Sequence, residues 1–377
     1  MDISLLSDIA RTYGTPAYVY DLQKVEERYR LLENRFHDLP LDIHYAVKAN
    51  AHPAVLQRLR ELGAGADCVS IHEVKHALQS GFEKHQILYT PACPSLDDLD
   101  EAFRLGVRVH IGALEYLDYV ARNFPGRPIG LRLNPDITGG GNEKIATAHR
   151  RSKFGIPWTF SGRLMELIEK YGLHVEGLHV HIGSDVKSWK DLARGVDFLT
   201  DVAPAFPQLR YLDFGSGLKV PYRPGDKEMD VKAYADHIRK RMSALPGIRI
   251  KLEPGKFLTA QAGVFLMQVN VVKQIPGALI AGVNTGFHHM LRPMYYDAYH
   301  HIENISNPGG EPELYDVVGH LCEEDTFARN RRIAGIRPGD ILALRNAGAY
   351  GFVMASRYNL HPLPKEIIID GKKVYEQ

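Results

Sequence analysis

Apolar runs of strand length alternate with stretches of helical period through most of this sequence, and this alternation limits the possible folds more than any other feature. Eight runs have the composition of buried strands: Ile43–Lys48, Ala66–Ser70, Gln86–Thr90, Val107–Ile111, Pro128–Leu133, Val175–Ile182, Arg210–Phe214 and Ile248–Glu253. Helical stretches include Asp21–Phe36, Pro53–Leu62, Ile71–Ser80, Leu96–Leu105, Ser161–Tyr171 and a short last one, Phe257–Gly263. Repeated strand–helix units of this number fit a parallel (β/α)8 barrel better than an open doubly wound sheet.

The pattern changes after Val264, where helical periodicity fades. Five strand-like segments follow, separated by Pro and Gly: Val264–Val272, Ala278–Val283, Tyr315–Leu321, Asp340–Ala343 and Glu366–Ile369. They predict a second, mostly antiparallel β domain, which the strand-like segment Pro16–Tyr20 could join from the other end of the chain. We therefore expect a barrel over residues 22–264 and a β-rich domain formed by residues 1–21 and 265–377.

Charge and hydropathy exclude several classes of protein. The net charge is +1 over 377 residues, so no strong field favours nucleic acid or an anionic membrane. No apolar run reaches the roughly 20 residues that a membrane span needs, and the acidic start lacks the basic region of a signal peptide. The cysteines Cys68, Cys93 and Cys322 form no C-x-x-C pair. We expect reduced thiols in a cytoplasmic protein.

Candidate reactive residues gather at the carboxyl ends of the predicted strands, where barrel enzymes build their sites. They are Lys48, Asp67, Ser70, Arg132, Asn134, His179, His181, Gly215, Ser216, Gly217 and Glu253. The long Gly-rich and basic segment Thr138–Lys153 predicts a functional lid. This convergence is a stronger argument for a site than any single residue.

Lys48 ends an apolar run and has two equally supported interpretations. Burial favours the neutral amine, and a neutral lysine is a nucleophile that forms a Schiff base with a carbonyl. Alternatively, Lys48 is paired with a carboxylate inside the barrel.

The segment Asp213-Phe214-Gly215-Ser216-Gly217 can turn backbone N–H groups towards an anion, and late barrel loops often hold phosphate. The alternative is a simple tight turn, but Ser184 could add a hydroxyl and strengthens the interpretation as an anion site. Glu253 ends the eighth strand, where a carboxylate could hold a pyridine nitrogen protonated. The alternative for Glu253 is a salt bridge to Arg132 or Lys48.

His179 and His181 would share one face of a strand, a spacing that also suits a metal. A zinc-dependent barrel hydrolase is therefore a competing hypothesis, and His288 and His289 are the available further ligands. We favour the interpretation that one histidine stacks on a cofactor ring and the other is structural, with no metal.

A lysine nucleophile, a phosphate cradle, a stacking imidazole and a ring-nitrogen carboxylate together describe a pyridoxal 5'-phosphate site. The chain resembles the barrel-type pyridoxal-phosphate decarboxylases over nearly its whole length, and among them the diaminopimelate decarboxylase family. The most specific segments are YAVKAN (45–50), GADCVS (65–70), SKFG (152–155), GLHVHIGS (177–184), EPGK (253–256), LRPMYYDAYHHI (291–302), YDVVG (315–319), CEED (322–325) and GAYG (348–351).

The resemblance implies a role for each matching residue. Lys48 would carry the cofactor and Cys322, reaching across a dimer interface, would handle the proton after decarboxylation. Further cofactor contacts would come from Asp67, His181, Ser184, Gly215, Ser216, Gly217, Glu253, Gly255, Lys256 and Tyr350. Substrate contacts would come from Lys256, Arg292, Tyr296, Glu323 and Tyr350. Without the resemblance, Cys322 and Tyr350 are explained by packing and Arg292 by a surface ion pair.

The function implied is decarboxylation of meso-2,6-diaminopimelate to L-lysine and CO2, the last step of lysine biosynthesis, in a homodimer with shared active sites. Three residues depart from the common family pattern: Lys256, where many relatives have arginine, Ser216 and Glu324. These departures leave open a related decarboxylase acting on another diamino acid or on a siderophore or antibiotic intermediate.

Two further alternatives share the barrel and the cofactor. An amino-acid racemase would place arginine rather than Glu253 at the pyridine nitrogen. A non-catalytic pyridoxal-phosphate carrier resembles the barrel alone, whereas more than 100 residues follow Val264 here.

Overall fold

The computed structural model describes residues 1–137 and 147–376, and the chain divides into two compact units. The barrel unit comprises Arg28–Lys219 and Glu228–Gly255, and the β unit comprises Met1–Glu27, Val220–Lys227 and Lys256–Gln377. The domain limits expected from the sequence, 22–264 against 1–21 with 265–377, stay a prediction. Residues 138–146 of the predicted lid lie outside the described residues.

Strands and helices alternate up to Thr259. The strands are β1 (Ala17–Asp21), β2 (Leu41–Ala46), β3 (Gly65–Cys68), β4 (Ile87–Tyr89), β5 (Arg108–Ile111), β6 (Ile129–Asn134), β7 (Ile156–Pro157), β8 (Val175–His179), β9 (Tyr211–Asp213), β10 (Arg249–Leu252), β11 (Gly263–Ile275), β12 (Ala278–Val283), β13 (Ile302–Asn304), β14 (Pro312–Val318), β15 (Thr326–Ala334), β16 (Ile341–Arg345), β17 (Lys365–Asp370) and β18 (Lys373–Glu376). The helices are α1 (Ile3–Tyr13), α2 (Leu22–Arg35), α3 (Pro53–Glu61), α4 (Ile71–Gln79), α5 (Leu96–Leu105), α6 (Glu115–Asn123), α7 (Ser161–Tyr171), α8 (Trp189–Val202), α9 (Val231–Met242), α10 (Lys256–Thr259) and α11 (Arg292–Tyr296).

Eight parallel strands close into a barrel in the order β2, β3, β4, β5, β6, β8, β9 and β10, and β10 pairs again with β2. The short β7 is added beside β6. The predicted (β/α)8 barrel is confirmed, and all eight predicted apolar runs contribute a strand to it.

Serine side chains cap several barrel helices at their first turn. Ser70, Ser95 and Ser188 accept hydrogen bonds from backbone N–H groups at the starts of α4, α5 and α8. These caps satisfy donors that the helix itself leaves unpaired. Ser70 lies two residues after β3, whereas Ser95 and Ser188 lie at the ends of longer loops that follow β4 and β8.

Several predicted strands are too long at their carboxyl ends, including those expected to contain Lys48 and His181. Lys48 lies in a single 3-10 turn, Val47–Ala49, because β2 ends at Ala46. β8 ends at His179, so the prediction that His181 shares a strand face with His179 is wrong. Val47, Val180 and Ile182 are buried outside the strands, and their apolar character therefore predicts burial correctly but not extended pairing.

The β unit is built on a mostly antiparallel sheet, as predicted. Its main order is β15, β14, β12, β11, β1, β17 and β18, with β16 pairing β11 and β13. Two pairs are parallel, β12 with β14 and β1 with β17. The N-terminal β1 lies between β11 and β17, in the sheet that Pro16–Tyr20 was expected to join.

An apolar core supports this sheet. Leu6, Ile9 and Ala10 of α1 pack with residues of β1, β11, β16 and β17: Ala17, Val19, Val264, Leu266, Ala343, Ile367 and Ile369. Among residues 1–137 and 147–376, no helix combines the length and the apolar character that crossing a bilayer requires.

Candidate active site

Lys48 projects from the turn after β2 and is paired with a buried carboxylate. Its Nζ lies 2.6 Å from Oδ2 of Asp67, at the end of β3. The Lys48 side chain is 36% exposed and that of Asp67 only 1%. The acid is therefore fixed in the barrel, whereas the amine can still reach a bound molecule.

Glu253 follows β10 and contacts His179, at the end of β8. The distance from Glu253 Oε2 to His179 Nε2 is 3.1 Å, and both side chains are buried. The alternative of a direct Glu253 salt bridge to Arg132 or Lys48 is not what the structure shows.

Four buried polar atoms of this region have no hydrogen-bond partner within the described residues. They are Asp67 Oδ1, His179 Nδ1, Asp213 Oδ2 and Glu253 Oε1. Leaving such atoms unpaired costs roughly 1–3 kcal/mol each, so their concentration in one place indicates a site prepared for a polar ligand.

Burial and mutual repulsion set the ionisation of these groups. Burial, reinforced by the Glu253 charge, raises the pKa of both Asp67 and Asp213 above the ordinary value. Burial lowers the pKa of the Arg132 guanidinium, although Glu253 and the two aspartates oppose this effect. The site therefore combines buried acids with one buried cation, which lies 4.5 Å from the centre of the Phe154 ring.

His181 lies against the glycine loop that follows β9. Its pKa is well below the ordinary value because the ring is desolvated and faces the charges of Arg132 and Lys48, so the imidazole is neutral. The Ser216 N–H donates to His181 Nδ1 at 3.3 Å. A neutral, planar ring held in this way can stack on an aromatic ligand.

Gly215 and Gly217 have φ values of 59° and 122°, which favour glycine. A Cβ on Gly215 would lie 2.6 Å from His181 Nδ1, and one on Gly217 would lie 2.4 Å from the Gly183 carbonyl oxygen. The Gly215 N–H donates to Asp213 Oδ1 at 2.9 Å. An anion in this loop would have to replace these internal partners.

Two further predicted cofactor contacts lie nearby in the barrel unit. Ser184 is half-buried in the segment that joins β8 to α8. Gly255 approaches the Lys48 turn so closely that a Cβ there would lie 2.9 Å from the Ala49 Cβ. Glycine at position 255 thus lets the two chain segments pack beside the lysine.

A cavity of about 360 Å³ joins the barrel groups. Its lining comprises Lys48, Asp67, Val69, Thr90, Ala92, Arg132, Thr147, Lys153, Phe154, His179, His181 and Glu253. The structure thus brings Lys48, Asp67, His181 and Glu253 together. Thr147, Lys153 and Phe154 were not predicted as site residues, although the SKFG segment and the long loop that contain them were.

In the β unit, two predicted ligand residues converge on one tyrosine. The Arg292 guanidinium and the Lys256 ammonium lie 5.0 and 5.9 Å from the centre of the Tyr222 ring. Arg292 also donates from Nε to His300 Nε2 at 3.2 Å. Burial, together with the Arg292 charge, lowers the pKa of His300 to about 3. His300 is therefore neutral, and the cations keep a net positive charge that suits a carboxylate.

Tyr296 and Tyr350 lie in loops or short elements of the same unit. Tyr296 ends α11 and packs edge-on against Tyr295, with ring centres 4.7 Å apart. Tyr350 has a φ of 55°, which is uncommon for a residue other than glycine. Its roles in binding cofactor and substrate stay predictions.

Cys322 and Glu323 are exposed on the loop that follows β14. Asn359 Nδ2 donates to the Cys322 sulfur at 3.4 Å, and the Tyr358 hydroxyl lies 3.7 Å from it. The same hydroxyl donates to Glu323 Oε1 at 2.8 Å. The interpretation of Cys322 as a small core residue is thus wrong, and Tyr358 and Asn359 are neighbours that the sequence did not indicate.

The proposed metal-hydrolase alternative finds little support in the barrel. His179 bonds to Glu253, and His181 accepts a backbone N–H. His110, Asp213 and Glu253 do lie close enough to share an ion. However, His110 Nδ1 and Nε2 already contact the hydroxyls of Thr90 and Tyr211 at 3.2 and 2.9 Å.

Comparisons with known proteins identify the family of the chain. Residues 22–260 match the family model described as the pyridoxal binding domain of pyridoxal-dependent decarboxylases. Diaminopimelate decarboxylase of Methanothermobacter thermautotrophicus is 36% identical, over 97% of this chain and 89% of the relative. The enzyme of the same name from Aquifex aeolicus is 32% identical, over 98% and 90%.

A solved structure of a diaminopimelate decarboxylase has a similar fold. Helicobacter pylori diaminopimelate decarboxylase, complexed with L-lysine, superposes with a TM-score of 0.92 and is 28% identical. The match covers 98% of this chain and 95% of the other. The agreement thus extends over both units rather than over the barrel alone.

Proposed function

The chain belongs to the diaminopimelate decarboxylase family of pyridoxal-dependent decarboxylases, and from this membership we propose that it converts meso-2,6-diaminopimelate to L-lysine and CO2. This is the reaction that completes lysine biosynthesis. The observation that carries the proposal is the meeting of Lys48, His181 and Glu253 in one barrel cavity, where buried oxygens of Asp67 and Glu253 have no hydrogen-bond partner among the described residues.

The barrel residues fit pyridoxal 5'-phosphate. Glu253 Oε1 is buried without a partner among the described residues and would accept the N–H of a protonated ring nitrogen. Lys48 would hold the aldehyde carbon, and His181 would stack on the ring. Gly215–Gly217 and Ser184 would bind the phosphate group. When bound, pyridoxal phosphate supplies a sink for the electron pair that is left when CO2 departs.

Asp67 has two tasks in this proposal. It positions the Lys48 amine at 2.6 Å, and its raised pKa makes it a better proton acceptor than an ordinary aspartate. A lysine must lose its proton before it can attack a carbonyl, and Asp67 is close enough to take that proton. His179 orients Glu253 through the 3.1 Å contact between them.

The β unit would select the substrate. Lys256, Arg292 and Tyr296 would bind the distal carboxylate, because the two cations converge on Tyr222. Glu323 would bind the distal ammonium group, and Tyr350 would contact both substrate and cofactor. A site that matches both distal charges rejects amino acids that lack one of them, since an unmatched buried charge is costly.

Cys322 would return a proton to the substrate Cα. Its thiol is exposed and lies near the hydroxyl of Tyr358 and the amide of Asn359. We propose that the Cys322 loop completes the site of a second subunit in a homodimer, in the cytoplasm. Mixing Lys48→Ala and Cys322→Ala chains tests this, because hybrid dimers would regain one intact site. Failure to regain activity when the subunits demonstrably exchange would contradict shared sites.

Substrate identity has a direct test. Purified protein loaded with pyridoxal phosphate should release CO2 from meso-diaminopimelate and accumulate L-lysine, with little turnover of ornithine or lysine. Brisk turnover of ornithine, or of a siderophore or antibiotic intermediate, with none of diaminopimelate would contradict the assignment. Borohydride reduction and peptide mapping separately test whether the cofactor is joined to Lys48.

A further inference from the structure

Three histidines of the β unit face one another outside the residues assigned to decarboxylation. His288, His320 and His361 each offer a ring nitrogen, and these nitrogens lie within 4.8 Å of one another. The ring centres of His320 and His361 are 4.2 Å apart, and those of His288 and His361 are 5.2 Å apart. The residues come from three separate chain segments that the fold brings together.

His288 lacks the partners that a buried imidazole normally has. It is only 2% exposed, and neither Nδ1 nor Nε2 has a hydrogen-bond partner among the described residues. Its neighbour His289 is also buried, yet His289 Nδ1 contacts the Thr285 hydroxyl at 2.9 Å. An imidazole with two unsatisfied nitrogens is destabilising unless something binds it.

Backbone hydrogen bonds hold the three segments in place. The His320 N–H donates to the Thr285 carbonyl at 3.2 Å, and the Ser356 N–H donates to the His288 carbonyl at 2.8 Å. The Phe287 N–H donates to Asp325 Oδ1 at 2.7 Å. These hydrogen bonds therefore fix the backbone positions of the segments that carry the three histidines.

We propose that His288, His320 and His361 form a binding site for a divalent transition-metal ion of the zinc class. Three imidazoles with an open fourth position are a common zinc ligand set. Zinc–nitrogen bonds of about 2.0–2.1 Å require the nitrogens to approach more closely than 4.8 Å. His320 is exposed and His361 half-buried, so their rings can rotate towards the buried His288 and an ion can enter from solvent.

Such an ion would brace the loop that carries Cys322. His320 lies two residues before Cys322, and His361 lies two residues after Asn359, whose amide donates to the Cys322 sulfur. The metal would add a second connection between the same two segments. This property goes beyond the proposed decarboxylation and requires no metal in the barrel.

Metal binding is measured on the full chain loaded with cofactor, after removal of metal with a chelator. Titration with Zn²⁺ in a calorimeter should show one equivalent bound with a Kd of micromolar or less. His320→Ala and His361→Ala should each weaken binding at least tenfold. His72→Ala, an exposed histidine on α4, should leave binding unchanged.

Cobalt gives a spectroscopic readout that is independent of activity. Co²⁺ should produce the intense visible bands of a four-coordinate ion, and His288→Asn should abolish them. The proposal is overturned if the unaltered protein binds no stoichiometric metal. It is also overturned if binding needs His320 but survives both His288→Asn and His361→Ala. Should His288→Asn fail to fold, the two surface variants decide the question.

Discussion

The barrel cavity and the Cys322 loop differ in how far their side chains are exposed to solvent. The cavity surrounds Asp67, His179 and Glu253, all buried, and each already faces a partner at 2.6–3.1 Å. On the loop, residues 319–325, Cys322 and Glu323 are exposed and contact Tyr358 and Asn359 of the β unit.

This difference matches the chemistry proposed for each region. A cofactor is bound permanently, so its residues can be enclosed and their charges balanced by one chain. A substrate must enter and leave, so the groups that recognise it have to remain accessible. Substitutions in the barrel cavity should therefore affect both cofactor binding and turnover, whereas substitutions on the Cys322 loop should affect turnover alone.

Of the substitutions considered, Lys48→Ala should cause the largest fall in kcat. Loss of the amine that holds the cofactor should lower kcat by more than about 10³-fold, and borohydride should no longer attach cofactor to the chain. Steady-state CO2 release and peptide mapping measure the two effects. Lys75→Ala, a surface lysine paired with Glu101, is the matched control. Retention of more than a tenth of the activity would refute the assigned role.

Glu253→Gln should cause the second largest fall in kcat. The amide keeps the shape of the side chain but cannot hold a ring nitrogen protonated, so kcat should fall by about 10²–10⁴-fold, as for loss of a positioned acid or base. The visible absorption of the bound cofactor should shift as well. Glu228→Gln, which alters a partly exposed ion pair with Arg28, should change neither. An unchanged spectrum would show that Glu253 does not contact the ring.

Cys322→Ala should lower turnover without affecting cofactor binding, and it therefore distinguishes the roles of the two regions most clearly. We expect kcat to fall by about 10²-fold because a general acid is lost, while cofactor content and melting temperature stay unchanged, since the thiol is exposed. Cys93→Ala removes another exposed thiol and should be silent in all three assays. Loss of cofactor from Cys322→Ala would contradict the prediction that the Cys322 loop affects turnover but not cofactor binding.

The smallest effect on activity should come from Glu366, a half-buried acid outside both regions. Burial raises its pKa to about 7, although the Tyr20 hydroxyl donates to it and opposes the shift. The folded state therefore holds a proton that the unfolded state loses above about pH 4.5. The free energy of unfolding should fall by up to about 3 kcal/mol between pH 4.5 and 7.

Glu366→Gln removes this titration, so its stability relative to the unaltered protein should be greater at pH 8 than at pH 4, with kcat unchanged. Chemical denaturation at several pH values measures the difference. Equal pH dependence in both proteins would show that Glu366 ionises normally in the folded state.

The barrel was predictable because its strands are buried on both sides, which gives continuous apolar runs such as Ile43–Val47. The place where a strand stops was less predictable, since Val47 and Val180 are buried whether or not they pair. Helix α1 was missed, although Leu6, Ile9 and Ala10 have helical spacing. Short β13 and β18 carry too few residues to show a period.

The sequence predicted which residue types occur in the candidate site better than it predicted which of these residues contact one another. Lys48 and Glu253 were expected to end strands, and they lie just after the carboxyl ends of β2 and β10. Their partners Asp67 and His179 depend on the register of neighbouring strands, where Ala46 lies opposite Asp67, and sequence alone does not fix register. Tyr222 was missed because an isolated aromatic residue carries no motif, whereas His300 lies in the quoted segment 291–302 but was given no role there.

The position of β1 has a consequence for synthesis on the ribosome. Ala17–Asp21 is among the first segments to be made, yet its parallel partner β17 begins at Lys365. Its antiparallel partner β11 begins at Gly263, so both edges of β1 stay unpaired until β11 has been made, and one edge stays unpaired until β17 follows. The barrel strands, by contrast, all precede Gly255 and can assemble earlier. Nascent chains halted before residue 263 should therefore expose both edges of β1 to chaperones, and chains halted between residues 275 and 365 should expose one edge.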